Sequence, residues 1–396
     1  MQNGVSNAIL QLMKVLPRVI NPSDGHYFLL GPRGTGKTLW ASYHYPSALR
    51  IDLLNPETMR QLTARPERLI ELIETNSDKQ QIIIDEVQKL PELLDVVHLL
   101  IEQKKSRQFI LTGSSARKLR KQGVNLLGGR AAKKILHPYL AFELGQDFSI
   151  KKALTHGMLP LVWASSEPEE ILKSYNALYL KEEVQAEGLI RNIGAFARFL
   201  ETISFSYGSV LNINNISREA EVNRKTVEGF IIILEDLLLA FRLNIFSKRA
   251  KRELKSHPKF YFFDVGVFRA NRPRGPFDDI SDLEGLCLEG LVFQHLRAWC
   301  DYSIGGNELF YWQTRQGIEV DFVIYGESGI YAIEVKKTTQ LRPEDFKGLE
   351  LFQEDYPIAK RYILYQGKER FIRNGVHCIP CEEFLLNLKP NSILEL

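Results

Sequence analysis

The stretch HYFLLGPRGTGKT (His26–Thr38) places an apolar run directly before a glycine-rich loop. Residues 31–38 match the pattern GxxxxGK[ST] without a gap, and the segment that follows, TLWASYHY, has helical character. In a strand–loop–helix context, the backbone N–H groups of such a loop face phosphate at the positive end of the helix. The sequence therefore predicts a nucleotide-binding P-loop.

The whole loop is predicted to contact ATP. Lys37 would reach the β- and γ-phosphates, and Thr38 would hold Mg²⁺. The predicted contacts are Gly31, Pro32, Arg33, Gly34, Thr35, Gly36, Lys37 and Thr38.

Two later strands supply the other residues of an ATPase site. The run QIIIDE ends in Asp85, which would orient Mg²⁺, and Glu86, which would polarise the water that attacks the γ-phosphate. A second acid after the first indicates hydrolysis as well as binding. The run QFILTG ends near Thr112, the first choice for a contact to the γ-phosphate or the water, with Ser114 as the second. An ordinary turn is the alternative for either residue.

Arg130 follows two glycines in a loop-like stretch. It would act in trans as an arginine finger on the nucleotide of a neighbouring subunit. The active form would then be a homo-oligomer, such as a hexameric ring. A surface arginine without a role in catalysis is the alternative.

Short apolar strands alternate with helices over the first ~150 residues, which predicts an α/β domain with a parallel sheet. At 396 residues the chain is too long for one ordinary core. We expect three domains: residues 1–165 with the P-loop, 166–275 with helices and a helix-turn-helix, and 276–396 with a second α/β fold.

Several motifs together resemble the AAA-type prokaryotic ATPases that carry an endonuclease-like C-terminal domain. They are the P-loop, DEVQKLPELL (85–94), LTGSS (111–115), GGR (128–130), HPYLAFEL (137–144) and FYFFDVGVFRA (260–270). Members of that family are largely known as predicted ATPases. The resemblance therefore implies architecture more firmly than it implies a task.

The middle of the chain has the layout of a winged helix-turn-helix. Two short helices flank a turn at Val222-Asn223, and Arg224 and Lys225 would begin the second helix, where they would face DNA. A basic run follows on the expected wing and would contact phosphates. The predicted DNA contacts are Arg224, Lys225, Lys248, Arg249, Lys251 and Arg252. A winged helix used only for packing is the alternative.

The C-terminal part places acids on two adjacent strands, EVDFVIY and IYAIEVKK. Strand alternation would direct Glu319, Asp321 and Val323 to one face, and Glu334 and Lys336 to one face of the next strand. Two carboxylates and a lysine in this arrangement would hold Mg²⁺ or Mn²⁺ and activate a water.

This pattern resembles the PD-(D/E)XK nuclease superfamily, in which an upstream helical glutamate often completes the site. Glu289 stands in the matching place. Val320 precedes Asp321 where the superfamily motif names a proline. The resemblance implies Glu289, Asp321 and Glu334 as metal ligands and Lys336 as a catalytic residue. A cleft lined by an ion pair without metal is the alternative.

Composition sets few limits. The 51 Lys and Arg residues nearly balance 48 Asp and Glu residues, so overall charge does not indicate a nucleic-acid partner and local clustering must. No apolar run reaches the ~18 residues of a membrane span, and the N-terminus lacks a signal peptide, so we expect a cytoplasmic protein. The four cysteines are expected to be structural, since CxxC at 378–381 has no second pair.

The sequence thus predicts an ATP-hydrolysing, DNA-binding protein that processes or repairs duplex or branched DNA through a metal-dependent nuclease-like domain. The second hypothesis is an ATP-dependent regulatory switch in signalling, stress or defence, whose C-terminal domain binds DNA or protein without cleaving it. A chaperone-like protein remodeller is the third, and it has only the ATPase part in its favour.

Overall fold

The structure of the chain is a computed structural model. In it, the apolar run before the P-loop forms a strand, as predicted. The structure describes residues 16–103, 107–115, 129–176, 192–248, 254, 257–273, 275 and 279–392. These residues form two units. The first contains the described residues up to Pro138 and also Asp236–Leu239, and the second contains Tyr139–Glu235 and the described residues from Ala240 onward.

A parallel sheet forms the centre of the first unit. In the described part of this unit, its strands pair in the order β2-β3-β4-β1-β5, and every pair is parallel. The elements in chain order are β1 (His26–Leu30), α1 (Lys37–His44), β2 (Leu49–Asp52), α2 (Pro56–Ala64), α3 (Arg68–Thr75), β3 (Gln81–Asp85), α4 (Leu93–Glu102), β4 (Gln108–Gly113) and β5 (Ala131–Ile135).

The predicted α/β domain with a parallel sheet is therefore confirmed. Strands β1, β3 and β4 are almost fully buried because they lie inside the sheet, with residues such as Phe28, Ile83 and Ile110 shielded from solvent. Strand β5 was not predicted. Its sequence AAKKI is half exposed at the sheet edge and lacks the apolar run by which the other strands were found.

The second unit begins with a helical part. Its elements are α5 (Ala141–Leu144), α6 (Ile150–His156), α7 (Pro160–Trp163), α8 (Pro168–Ser174), α9 (Ile193–Ser204), α10 (Ile213–Glu219), α11 (Arg224–Asp236), β6 (Ala240–Leu243), β7 (Lys259–Phe262) and α12 (Val265–Asn271). Helices α10 and α11 are separated by a short turn and followed by the antiparallel pair β6–β7, which is the predicted order of elements. Their identity as a DNA-binding winged helix stays a prediction.

The segment after β6 pairs with the C-terminal sheet. Phe246 N–H donates to Tyr311 O at 2.7 Å, and Tyr311 N–H donates to Asn244 O at 3.0 Å. This part of the expected wing therefore extends along the edge of a C-terminal strand. The division into residues 1–165, 166–275 and 276–396 stays a prediction.

The C-terminal part of the second unit is a mixed sheet covered by helices. Across its described residues, the strands follow the order β12-β13-β11-β10-β9-β8. The elements are α13 (Ile280–Tyr302), β8 (Glu308–Gln313), β9 (Glu319–Gly326), β10 (Gly329–Lys336), α14 (Lys347–Asp355), β11 (Lys360–Tyr365), β12 (Phe371–Arg373), β13 (Val376–Pro380) and α15 (Cys381–Asn387). Trp312, Val323 and Phe352 belong to the core between the sheet and α14.

The motif FYFFDVG has a structural role. Asp264 is fully buried and caps the N-terminus of α12 by accepting hydrogen bonds from the N–H groups of Gly266 (2.8 Å) and Val267 (3.3 Å). It also accepts one from Met158 N–H at 2.7 Å. A Cβ atom at Gly157 would collide with this carboxylate. Asp264 thus connects the segment around residue 157 to α12 by hydrogen bonds.

Candidate functional site

Glycines allow the P-loop to curl tightly between β1 and α1. Gly34 and Gly36 have φ angles of 84° and 88°, which side chains other than glycine rarely adopt. At Gly31 the limit is space, because a Cβ atom there would lie 2.5 Å from Leu136 O. The loop residues predicted from the sequence therefore form a tight curl at the N-terminus of α1.

The Lys37 side chain lies over this loop and is buried. Its Nζ donates to the carbonyl oxygens of Gly31 at 2.8 Å and Pro32 at 3.2 Å. Thr35 is buried as well and fixes the loop from within by donating from Oγ1 to Pro32 O at 2.8 Å. Arg33 lies exposed on the outer side of the curl.

A line of hydrogen bonds connects the loop with two strand ends. Thr38 Oγ1 donates to Asp85 Oδ2 at 2.9 Å, and Thr112 Oγ1 donates a short hydrogen bond to Asp85 Oδ1. The Thr112 hydroxyl oxygen in turn accepts from Glu86 N–H at 3.2 Å. Both oxygens of the Asp85 carboxylate are therefore held, one beside the P-loop and one beside β4.

Glu86 stands just beyond Asp85 in an unusual backbone conformation, with φ at 59°. Gln88 Nε2 donates to Glu86 Oε2 at 2.5 Å and to Ser114 Oγ at 2.9 Å. Gln88 is only 6% exposed, and Gly113 leaves room for it, because a Cβ there would lie 2.5 Å from Gln88 Oε1. The contact between Gln88 and Glu86 was not predicted, although Gln88 lies within the DEVQ motif.

Two arginines of the first unit have clear partners. Arg18 donates to Thr35 O at 3.0 Å and to His137 O at 2.5 Å, and thereby supports the back of the P-loop. No pattern in the sequence indicated this role. Arg130, the predicted finger, places Nε 2.5 Å from Glu102 Oε1, and both side chains are partly exposed. A role of Arg130 in trans stays a prediction.

The predicted DNA contacts are only partly described. Arg224 and Lys225 are exposed in the first turn of α11, and Arg224 Nε lies 3.0 Å from Glu228 Oε1. Lys248 Nζ lies 4.1 Å from the centroid of the Tyr325 ring and 3.6 Å from Glu308 Oε2. Arg249, Lys251 and Arg252 lie outside the described residues.

Strands β9 and β10 separate where the C-terminal acids lie. Their backbone pairing ends at Ile333 and Phe322. Beyond this point side chains replace the ladder, since Asp321 Oδ2 accepts from Val335 N–H at 2.8 Å and Glu334 Oε2 accepts from Asp321 N–H at 3.4 Å. The two carboxylates therefore lie between the strands and accept hydrogen bonds from backbone N–H groups.

A β-bulge changes which side chains of β9 lie on the same face of the sheet. Phe310 pairs with Val323 and Trp312 pairs with Val320, so one residue of β8 opposes two residues of β9, Asp321 and Phe322. Val320 and Val323 consequently lie in the same core, whereas strict alternation would put them on opposite faces. The predicted common face of Asp321 and Val323 is therefore wrong.

The predicted residues Glu289 and Lys336 lie at opposite ends of this cluster. Lys336 Nζ pairs with Glu334 Oε1 at 2.6 Å. Glu289 Oε1 accepts from Tyr261 OH at 2.5 Å and lies 3.3 Å from Lys259 Nζ. Lys259 was not predicted, although a lysine beside an aromatic run (KFYFF) was a visible signal.

Burial and mutual repulsion raise the proton affinity of the buried acids. Burial raises the pKa of Glu334 to about 8, with Asp321 adding to the rise and Lys336 opposing it. Burial likewise raises the pKa of Glu289 to about 7 against the opposing charge of Lys259. Burial alone would lower the pKa of Lys259, but the charges of Glu289 and Asp321 outweigh this and hold it above its usual range.

The geometry of this cluster does not fit a metal ion. In the part of the chain that the structure describes, no three His, Cys, Asp or Glu side chains are arranged so that they could share one. The ammonium group of Lys259 lies between Glu289 and Asp321. By contrast, Thr38 and Asp85 of the P-loop site do fit Mg²⁺, because a hydroxyl and a carboxylate meet beside the phosphate loop.

Comparison with known families defines the class of the first unit. Residues 23–144 match the model of an AAA domain. Together with the P-loop geometry, this match supports an AAA-type P-loop ATPase domain at these residues. Residues 147–276 and 284–384 match two domains of unknown function, DUF8612 and DUF4143.

Relatives extend over most of the chain. The uncharacterized proteins Rv2008c of Mycobacterium tuberculosis and Mb2031c of Mycobacterium bovis are each 25% identical over 380 residues, which is 93% of this chain and 82% of theirs. The uncharacterized protein MJ1544 of Methanocaldococcus jannaschii is 24% identical, over 76% of this chain and 72% of its own.

One solved structure shows a remote likeness. The replication initiator DnaA bound to AMPPCP and single-stranded DNA aligns with 59% of this chain and 87% of its own, at 12% identity and a TM-score of 0.28.

Within the described residues, no helix has both the length and the apolar character needed to cross a membrane.

Proposed function

We propose that this chain hydrolyses ATP at the P-loop and that its nucleotide state controls binding of DNA by the second unit. The observation that carries the first half is the hydrogen-bonded line from Thr38 through Asp85 to Thr112. It connects the phosphate loop with the two strand ends from which an ATPase supplies its metal ligand and its water-positioning groups.

Each group in this line has a distinct role. Lys37 would exchange the loop carbonyls for the β- and γ-phosphates, and Thr38 and Asp85 would hold Mg²⁺, which would neutralise charge on the phosphate oxygens. Glu86 polarises the attacking water. The Thr112 hydroxyl contacts both the Asp85 carboxylate and the backbone N–H of Glu86. These contacts support the prediction that Thr112 lies beside the reacting groups.

The order helix-turn-helix followed by an antiparallel strand pair supports DNA binding by the second unit. Arg224 and Lys225 are exposed at the start of α11, where a recognition helix presents residues to DNA. Backbone contacts are favoured over sequence reading, because these cations suit phosphates. Duplex or branched DNA is the proposed partner.

Two functions differ in what happens to the bound DNA. Processing or repair by cleavage needs a divalent ion beside Asp321 and Glu334. The position of Lys259 between Glu289 and Asp321 favours the second function, a regulatory switch in signalling, stress or defence that binds without cutting.

The test is ATP hydrolysis by the full chain in Mg²⁺, with and without duplex, single-stranded and four-way-junction DNA. Glu86→Gln should lower kcat by about 10²–10⁴-fold while ATP still binds, because only the group that polarises water is changed. Glu57→Gln, on the exposed helix α2, is the matched control. Unchanged turnover in Glu86→Gln would refute the assigned role, and no response to any DNA would refute the proposed partner.

A further inference from the structure

Lys259 is a buried cation at the centre of the C-terminal acids. Only 2% of the residue is exposed, on strand β7. Its Nζ lies 3.3 Å from Glu289 Oε1, 3.5 Å from Glu319 Oε1 and 3.8 Å from Asp321 Oδ1. Carboxylates from α13 and β9 therefore converge on one nitrogen.

Neighbouring donors also contact these carboxylates. Tyr261 OH donates to Glu289 Oε1, the same oxygen that faces Lys259. Gln313 Nε2 donates to Glu319 Oε2 at 2.8 Å and Val335 N–H donates to Asp321 Oδ2, the oxygens that Lys259 does not contact. These donors, together with Lys259, fix the orientation of the three carboxylates.

A divalent ion cannot share this place with the ammonium group. Mg²⁺ needs oxygen ligands at about 2.0–2.1 Å in an octahedral arrangement. The three oxygens surround Lys259 Nζ at ion-pair distances, so an ion among them would stand directly beside a like charge. Two of the predicted metal ligands, Glu289 and Asp321, lie beside one cation, but this cation belongs to the protein.

We propose that Lys259 is a built-in cation that occupies the position of the divalent metal in a nuclease-like carboxylate cluster. The domain therefore keeps the charge arrangement of a metal site and takes up no metal there. Replacing Lys259 removes the like charge from among Glu289, Glu319 and Asp321, so that these carboxylates can move together around Mg²⁺ or Mn²⁺. The inference does not depend on ATP hydrolysis.

The test measures Mn²⁺ binding to the nucleotide-free full chain by calorimetry and by the paramagnetic resonance of free Mn²⁺. Every protein carries Asp85→Asn, which removes the carboxylate of the P-loop metal site. In this background Lys259→Met should bind Mn²⁺ about tenfold or more tightly than the protein with Lys259. Addition of Asp321→Asn should abolish the gain.

Lys248→Met is the matched control, because Lys248 is an exposed lysine in an ion pair with Glu308 in the same unit. It should bind no more Mn²⁺ than the parent. A folded Lys259→Met protein without added Mn²⁺ binding would overturn the proposal.

A second arm is independent of the folding of Lys259→Met. Mn²⁺ binding is compared between the protein with Lys259 and its Asp321→Asn variant, and the proposal expects no difference. A loss of Mn²⁺ binding on Asp321→Asn would show that the native cluster holds a metal, and this would overturn the proposal as well.

Discussion

The side-chain amide of Gln88 holds the carboxylate of Glu86, with 2.5 Å between Nε2 and Oε2. The same amide reaches Ser114 Oγ at the tip of β4. The backbone of Glu86 is thus in a left-handed conformation. Its side chain is connected through Gln88 to Ser114, which follows β4. Gln88 thus orients the proposed water-polarising carboxylate through a hydrogen bond.

Gln88→Ala should therefore lower kcat for ATP hydrolysis by about tenfold, since a misplaced catalytic group loses its attack geometry. The KM for ATP should stay within about twofold, because the P-loop contacts remain intact. Steady-state kinetics separates the two constants. Gln61→Ala is the control, because Gln61 makes a comparable hydrogen bond to Glu57 on an exposed helix. Equal changes in both constants would argue against a positioning role.

Mixing two inactive variants tests Arg130 as a finger in trans. Its exposed ion pair with Glu102 is worth only about 0.2–1 kcal/mol, so the side chain is free to leave it. Arg130→Ala and Lys37→Ala should each lack ATPase activity, and the mixture should recover it through mixed oligomers. Arg65→Ala, which breaks the exposed pair with Glu71, should remain active. An Arg130→Ala protein with full activity would exclude the finger.

Lys225 is expected to contact a DNA phosphate. Lys225→Ala should weaken duplex binding about equally for different sequences and reduce the slope of log K against log salt by about one. Fluorescence anisotropy over a salt series measures both quantities. Lys173→Ala, on the exposed face of α8, should leave the slope unchanged. An unaltered slope in Lys225→Ala would remove α11 from the proposed interface.

Asp264 should make stability depend on pH in a defined direction. Burial raises its pKa from 3.8 to about 6, so the folded protein holds this proton more tightly than the unfolded chain does. Its contribution to the free energy of unfolding is therefore fully present below about pH 4 and is lost as the pH rises through about 6.

Asp264→Asn removes this titration and places an amide N–H₂ beside N–H donors, at a cost of about 1–3 kcal/mol. The stability difference from wild type should shrink between about pH 4 and pH 6 in urea unfolding. Asp279→Asn at the exposed N-cap of α13 is the control, since asparagine caps a helix as well as aspartate. A difference that grows with pH would contradict the assignment.

The P-loop unit was largely predictable because local rules determine it. An apolar strand, required glycines and acids at strand ends each carry their own signal, and Asp85 and Thr112 do meet. The support that Arg18 gives to the loop was not predictable, because a lone arginine far from its partners along the chain leaves no pattern.

The C-terminal cluster was predictable only in part. Strand spacing correctly placed Asp321 near Glu334, but a bulge depends on how β8 pairs with β9, and no periodicity reveals it. Lys259 lies 62 residues before Asp321 in sequence, in a segment assigned to another domain, so only the folded chain brings them together.

The carboxylates that replace the ladder between β9 and β10 also give the protein two natural spectroscopic reporters. The amides of Val335 and Asp321 donate to the ionisable side chains of Asp321 and Glu334, respectively. A hydrogen bond becomes stronger when its acceptor oxygen gains a charge. The proton resonances of these amides, followed by NMR, therefore respond to the charge of the carboxylates that they contact, without an attached probe.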